Sequence, residues 1–354
     1  MTLSMDFLAG ALADLRARLG RHARARTTSG AASCALAALL GLALVPAPGS
    51  AQDLALEAVG EIPGPAELVR VRGARAYVSG GHVFTIYDVS DPASPVALGS
   101  HTFPQEIWGF RLTGDRAYVG ANFFGLGILD ISGPGGPVLL GQHKTLGQAK
   151  IGATASGKVG IIDHMEGFVL VDISDETAPA GIGSFFLDGY ARDVVTDGTL
   201  AFATDSPSGL YVFDLARSGM PEPVGVLHAP NAPRDIDVSP GTAERPTLIV
   251  GAGGGDVQVY DVSDPAAPEK VASVATPGRA TRVSMNGDEV FVADNEAGVS
   301  VVDVSDPGGS ALVGTFPTPR PTRDVSADGS LVAVVVGDSE REGHDRWVVL
   351  LERR

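Results

Sequence analysis

The stretch FTIYDVSDP at residues 84–92 decides the reading: an apolar run of strand length stops at Asp88 and passes into a Ser-Asp-Pro turn. The pattern returns as LGILDISGP at 126–134, FVLVDISDE at 168–176, LYVFDLARS at 210–218, VQVYDVSDP at 257–265 and VSVVDVSDP at 299–307. The closing aspartates, Asp88, Asp130, Asp172, Asp214, Asp261 and Asp303, are spaced 42, 42, 42, 47 and 42 residues apart. A period held that closely marks one supersecondary unit, repeated.

Within the unit at 190–229, four β-rich runs alternate with turn chemistry: Arg192–Val195, Leu200–Ala203, Leu210–Phe213 and Val224–Leu227. Asp197-Gly198 is a hairpin turn between the first two, and Ser206 to Gly209 links the second to the third. No window carries a 3.6-residue apolar period, so helices are not expected. Four antiparallel strands in about 42 residues is the size of one propeller blade.

The ends of the repeat array supply the closure. A seventh unit starts at Pro321 with Arg323-Asp324-Val325 and reaches its third strand at Trp347–Leu351, leaving no room for a fourth. Leu56–Gly60 resembles the outer strands Pro95–Gly99 and Pro137–Gly141, so it is expected to complete that blade and remove the open edge. The expected fold is all-β: a seven-bladed β-propeller of four-stranded antiparallel blades over residues 52–354, closed by the N-terminal strand.

The Leu-Val-Ile-Val-Asp core followed by Ser-Asp-Pro resembles the LVIVD repeat family of secreted or cell-surface bacterial and archaeal β-propellers. The resemblance spans nearly all of residues 52–354 and implies the architecture; it implies little chemistry. The fourth copy departs from it, with Leu215-Ala216-Arg217-Ser218 after Asp214, and a different turn is expected there.

Composition agrees with a turn-rich β fold: 46 Gly and 24 Pro, with 44% hydrophobic and 19% charged residues. Against 42 Asp plus Glu stand 26 Lys plus Arg, a formal charge of −16, which argues against nucleic acid or an anionic membrane as a general partner. One cysteine excludes a disulfide framework and a cysteine zinc site.

Residues 1–51 differ from the rest. Arg16, Arg18, Arg21, Arg24 and Arg26 precede an apolar run from Ala31 to Val45, which breaks at Pro46 and Pro48 and ends Gly49-Ser50-Ala51. This is the pattern of a secretory signal peptide cleaved near Ala51. The apolar run, about 15 residues, is short of the roughly 20 that span a bilayer. Export to a periplasm, the cell surface or the medium is expected, without stable membrane insertion after cleavage, and as a monomer.

Two sets of polar residues invite a functional reading. The repeated Asp, with its Ser-Asp-Pro, offers carboxylate pairs such as Asp88 and Asp91 or Asp261 and Asp264, to which a divalent metal such as calcium could be assigned; an Asx-type turn fixed by the proline is the simpler reading, and no cofactor is expected. The first residue of each innermost strand lies at the channel mouth, and in chain order it is Glu67, Trp108, Lys150, Arg192, Arg234, Thr281 and Arg323. Four cations in an acidic protein suit a carboxylate, phosphate or sulfate. The competing reading pairs Lys150 with Asp163 and Arg192 with Asp205 across the first hairpin, leaving Arg234 and Arg323 as free donors.

On these grounds the expected activity is recognition without covalent chemistry, of a protein, an anionic small molecule or a glycan, with Trp108, Phe123 and Phe124 as apolar contacts. The charged loop from Gly337 to Arg346 lies on the same face. A second reading is a metal-dependent propeller hydrolase or lyase drawing ligands from Glu67, His82, Asp163, His164, Glu166, Asp294 and His344. A third is a structural surface protein.

Overall fold

The computed structural model describes residues 56–229, 231–239, 241, 247–253, 255–338 and 345–353. The expected signal peptide, the insertion at 240–246 apart from residue 241, and residues 339–344 with His344 lie outside them. Among the described residues there are 28 strands and one short 3-10 turn at Pro307–Gly309.

The strands fall into seven antiparallel sets of four: β2(Leu68–Arg72) to β5(Val96–Thr102), β6(Gly109–Thr113) to β9(Val138–His143), β10(Ala149–Ala155) to β13(Ala180–Phe185), β14(Tyr190–Thr196) to β17(Pro223–His228), β18(Asp235–Ser239) to β21(Glu269–Ala275), β22(Arg282–Asn286) to β25(Ala311–Phe316), and β26(Thr322–Asp328) to β28(Trp347–Arg353) with β1(Leu56–Ile62). The second and third sets are also joined, because β10 pairs with β7 at Ala149 and Asn122. β1 lies antiparallel to β28 from Leu56 opposite Arg353 to Ile62 opposite Val348, so the first strand of the fold closes the last set, as expected. The first strands contact one another in succession from β6 through β10, β14, β18, β22 and β26 to β2, which makes these seven the inner wall.

Second and third strands carry the core, with burial on both faces: Val332 to Val336 and Val348 to Leu351 are buried without interruption. Sheets packed on both faces read as continuous apolar runs rather than alternating ones, which is why LYVF or VSVV show no period of two. Aromatic contacts join neighbouring sets, as where the Phe168 ring stacks on Phe213 at 4.0 Å.

The Ser-Asp-Pro turns are Asx turns. Asp88, Asp130, Asp172, Asp214, Asp261 and Asp303 each accept the N–H two residues on, at 2.8 to 2.9 Å. Hydroxyl and N–H donation by Ser90 and Ser132 holds Asp88 and Asp130 below the ordinary carboxylate range. The fourth copy keeps this first turn through Asp214; its departure is confined to the next few residues, where Arg217 pairs with Asp214 at 3.4 Å.

Several of these turns seat on the outer strand of the preceding set, where a glycine makes room; β21 has no glycine at its junction with the sixth set. A Cβ on Gly60 would overlap the carbonyl oxygen of Pro92, and one on Gly225 that of Pro265. The Gly that ends the outer-strand motif is therefore a docking point between repeats, which couples neighbouring blades through backbone contact.

Candidate functional site: a cationic channel mouth

The mouth residue near the start of these inner strands is placed by a β-bulge. Ladder register shifts between Ala191 and Asp193, between Thr322 and Asp324, and between Ala149 and Gly152, so Arg192, Arg323 and Lys150 fall at the irregularity. In the fifth set, Ala252 pairs with Asp235 and also accepts the N–H of Arg234 at 2.9 Å. A bulge sets two residues against one and re-aims a side chain. Here it turns the basic residue toward the channel mouth.

Those side chains line one cavity of about 1070 Å³, bordered by Glu67, His82, Glu106, Trp108, Lys150, His164, Arg192, Arg234, Arg282, Arg323 and Arg346. Six of the seven positions expected at the mouth are present; Thr281 is replaced by its neighbour Arg282. Six cations face two carboxylates. Lys150, Arg192 and Arg234 have no carboxylate within ion-pair distance among the described residues. The buried Nε of Arg192 has no acceptor, although its guanidinium lies 5.6 Å from the centroid of the Tyr190 ring. Arg323 donates from Nε to the Gly337 carbonyl at 2.9 Å. Burial pushes the Lys150 ammonium below its ordinary range, and Arg282, Arg192 and Arg234 push the same way. Burial, reinforced by Glu106, raises the Glu67 carboxyl.

The expected pairing of Lys150 with Asp163 and of Arg192 with Asp205 is not what the fold does with these acids. Asp163 accepts N–H bonds from Gly147, Met165 and Glu166, and Asp205 accepts the N–H of Gly189. Asp294, at the equivalent place in the sixth set, accepts from Gly278 N–H and from the hydroxyls of Thr276 and Ser300. In all three the carboxylate holds the loop that enters its own blade, sixteen residues back. Held by these local donors, Asp163 and Asp205 make no ion pair with the cations at the mouth among the described residues.

The same geometry separates most of the residues named for a metal. Asp163 and Asp294 are buried in loop anchoring, and neither borders the cavity. Glu166 accepts the Leu146 N–H, and His82 faces the Phe103 carbonyl through Nδ1 at 3.3 Å. His164 borders the cavity, but its ring lies against Trp108, centroids 5.6 Å apart. Among the described residues no three His, Cys, Asp or Glu side chains converge as a metal site. Phe123 and Phe124 lie outside the cavity: Phe124 packs edge-on to Phe103 at 5.3 Å, while Phe123 is exposed.

One layer deeper, the inner wall holds residues that the sequence reading passed over. Asp193, Asp235 and Asp324 directly follow Arg192, Arg234 and Arg323, and all three are buried. Arg111 pairs with Asp193 at 3.0 Å, Arg282 with Asp235 at 2.7 Å, and Arg70 with Asp324 at 2.8 Å. Each carboxylate also accepts a backbone N–H from the next blade: Ile236, Val283 and Val69 respectively, at 2.8 to 2.9 Å. Ser326 and Ser284 repeat the contact one step further down, to Val71 and Ala327. The Arg-Asp doublet, present three times, was the available signal.

An inner wall of repeated strands, a ring closed by its own first strand, and a cavity at the mouth of the channel together define a β-propeller. The LVIVD repeat matches residues 63–102, 108–145, 161–186 and 277–318, so four stretches of this β-propeller are LVIVD repeats. No curated protein sequence matches it. Among solved structures it is similar to the β-propeller domain of Cps50 (Swd1) from Myceliophteria thermophila, at 11% identity and a TM-score of 0.67 over 84% of this chain and 99% of that one. The RRP9 WD40 repeats give 9% identity and a TM-score of 0.66 over 86% and 99%. The computationally designed Ika8 protein gives 11% and 0.58 over 79% and 83%. At such identities the likeness is one of fold alone.

Proposed function

We propose that the chain is an exported binding module whose channel-mouth cavity recognises an anionic group without covalent chemistry. The observation that carries this is the convergence of Lys150, Arg192 and Arg234, cations without a carboxylate partner among the described residues, in one cavity with Arg282, Arg323 and Arg346. Unpaired like charges gathered in a recess raise the free energy of the empty site, and an entering anion relieves it. Forked guanidinium donors from several blades favour planar or tetrahedral oxyanions. Export rests on the pattern of residues 1–51, and the ligand would then be met outside the cytoplasm.

The test is calorimetric titration with sulfate, inorganic phosphate and citrate at low and high salt. Binding is expected, weaker as salt rises, with Arg192→Ala/Arg234→Ala lowering affinity at least tenfold at an unchanged melting temperature. If none of the three anions binds or raises the melting temperature, the proposal fails.

A further inference from the structure

The most exposed large apolar side chains among the described residues are not scattered. Leu146, Phe186, Tyr190 and Met165 are 65 to 77% exposed, and all four stand on the channel-mouth side of the third and fourth blades. Leu146 lies in the loop entering β10, Met165 between β11 and β12, Phe186 in the loop entering β14, and Tyr190 at its first residue. Their loops touch: the Leu146 N–H donates to Glu166 at 2.7 Å, Met165 lies against Gly147, and the Phe186 backbone lies against Gly167. Phe123, half exposed, extends the arc to the second blade. Tyr190 joins it to the cavity, because its ring is the one beneath the Arg192 guanidinium.

None of these side chains contributes to the core, so folding does not explain them. Contiguous exposed apolar surface beside a polar site marks an interface. We infer that the mouth face docks a protein partner through a segment that combines acidic residues, which enter the cavity at Arg192 and Arg234, with an adjacent pair of apolar side chains, which cover Leu146, Met165, Phe186 and Tyr190. This rests on the anion reading of the cavity and names the kind of molecule that carries the anion.

Charge decides between a protein segment and a membrane. Lys150, Arg192 and Arg323 are half-buried within a recess, which a narrow chain can enter and a bilayer surface cannot. The apolar arc itself carries Glu166 and the exposed Asp188, and the chain as a whole bears −16, all of which repel an anionic bilayer. A small anion would fill the recess and leave the arc bare.

The experiment is selection of a displayed library of random twelve-residue peptides against the purified chain, followed by titration of the enriched peptides. Enrichment of an acidic run next to two aromatic or aliphatic residues is expected. Leu146→Ser/Phe186→Ser should weaken these peptides at least tenfold while sulfate binding stays unchanged, and Arg192→Ala/Arg234→Ala should weaken both. Peptides that are acidic without apolar partners, or that bind the Leu146→Ser/Phe186→Ser variant equally well, overturn the docking inference and leave the anion site standing. An empty selection with intact sulfate binding does the same. Co-sedimentation with phosphatidylglycerol vesicles that depends on Phe186 overturns it in favour of a lipid surface. Loss of sulfate binding from the unaltered chain removes both readings together.

Discussion

Arginine is used in two ways at adjacent levels of the same channel. In the wall, Arg70, Arg111 and Arg282 meet Asp324, Asp193 and Asp235 at 2.7 to 3.0 Å, and each aspartate also receives a backbone N–H from the next blade. At the mouth, Arg192 and Arg234 precede two of those same aspartates and have no carboxylate of their own among the described residues. The bulge separates the members of each doublet, sending the acid to the wall and the base to the cavity. Wall charges are therefore part of what joins blades, and mouth charges are left for something else.

The sharpest way to break this contrast is to delete one member from each level. Asp324→Ala would leave Arg70 without its carboxylate and the Val69 N–H without its acceptor where the last blade meets the first, and losing one partner of a buried pair costs about 3–5 kcal/mol. Arg234 is exposed, so Arg234→Ala should change stability by no more than about 0.5 kcal/mol. Urea unfolding of the two variants measures both. Equal losses would mean that the mouth is structural after all.

Next in size is a difference within the wall. Burial pushes the Asp193 carboxyl up to about 6, with the charge of Asp235 adding to it against the pull of Arg111. Asp235 is buried too, but Arg282 and Arg111 overcome that and leave it below the ordinary range. An acid with a raised folded pKa holds a proton that the unfolded chain, titrating near 3.9, has already released. Stability is then lost as pH rises from about 4 to 6, by up to about 1.4 kcal/mol per pH unit for this group. In urea melts, Asp193→Asn should match the unaltered chain near pH 4 and gain on it through pH 6. A variant equally far below the unaltered chain at every pH would place Asp193 with Asp324, as a plain ion-pair partner.

Much of this was legible in sequence. The fixed period places the strands, Leu56–Gly60 shows by its likeness to other outer strands that it closes the last blade, and the Asx turns follow from Asp with its Ser-Asp-Pro. Six mouth residues could be picked because the same place in each repeat lies at the head of its inner strand. What escaped depends on distances around the ring. Arg111 reaches Asp193 two blades away, past an intervening inner strand whose sequence, AKIGATA, contains no acid. Asp163 and Asp205 sit where strand pairing would offer them to Lys150 and Arg192, yet the N–H groups of their own loops are nearer. Leu146, Met165, Phe186 and Tyr190 are single apolar residues in separate loops, and only the folding of those loops onto one another gathers them.

The smallest effect refines the account of the mouth. Lys150 is a mouth cation whose hold on its proton is weakened, since burial and three arginines hold it below the usual 10.5. A bound anion opposes all of these influences and returns the lysine toward its usual range, so between the lowered value and 10.5 binding must take up protons. Sulfate does not titrate there. Calorimetry in buffers of different ionisation enthalpy should therefore find a proton uptake on sulfate binding at alkaline pH, with affinity falling as pH rises through the window. Lys150→Met should abolish the uptake, and Lys150→Arg should abolish it while keeping the affinity. If uptake persists in Lys150→Met, the anion is felt by another group and Lys150 is not among its contacts; if neither form takes up protons, the anion sits too far from Lys150 for the mouth cations to act as one site.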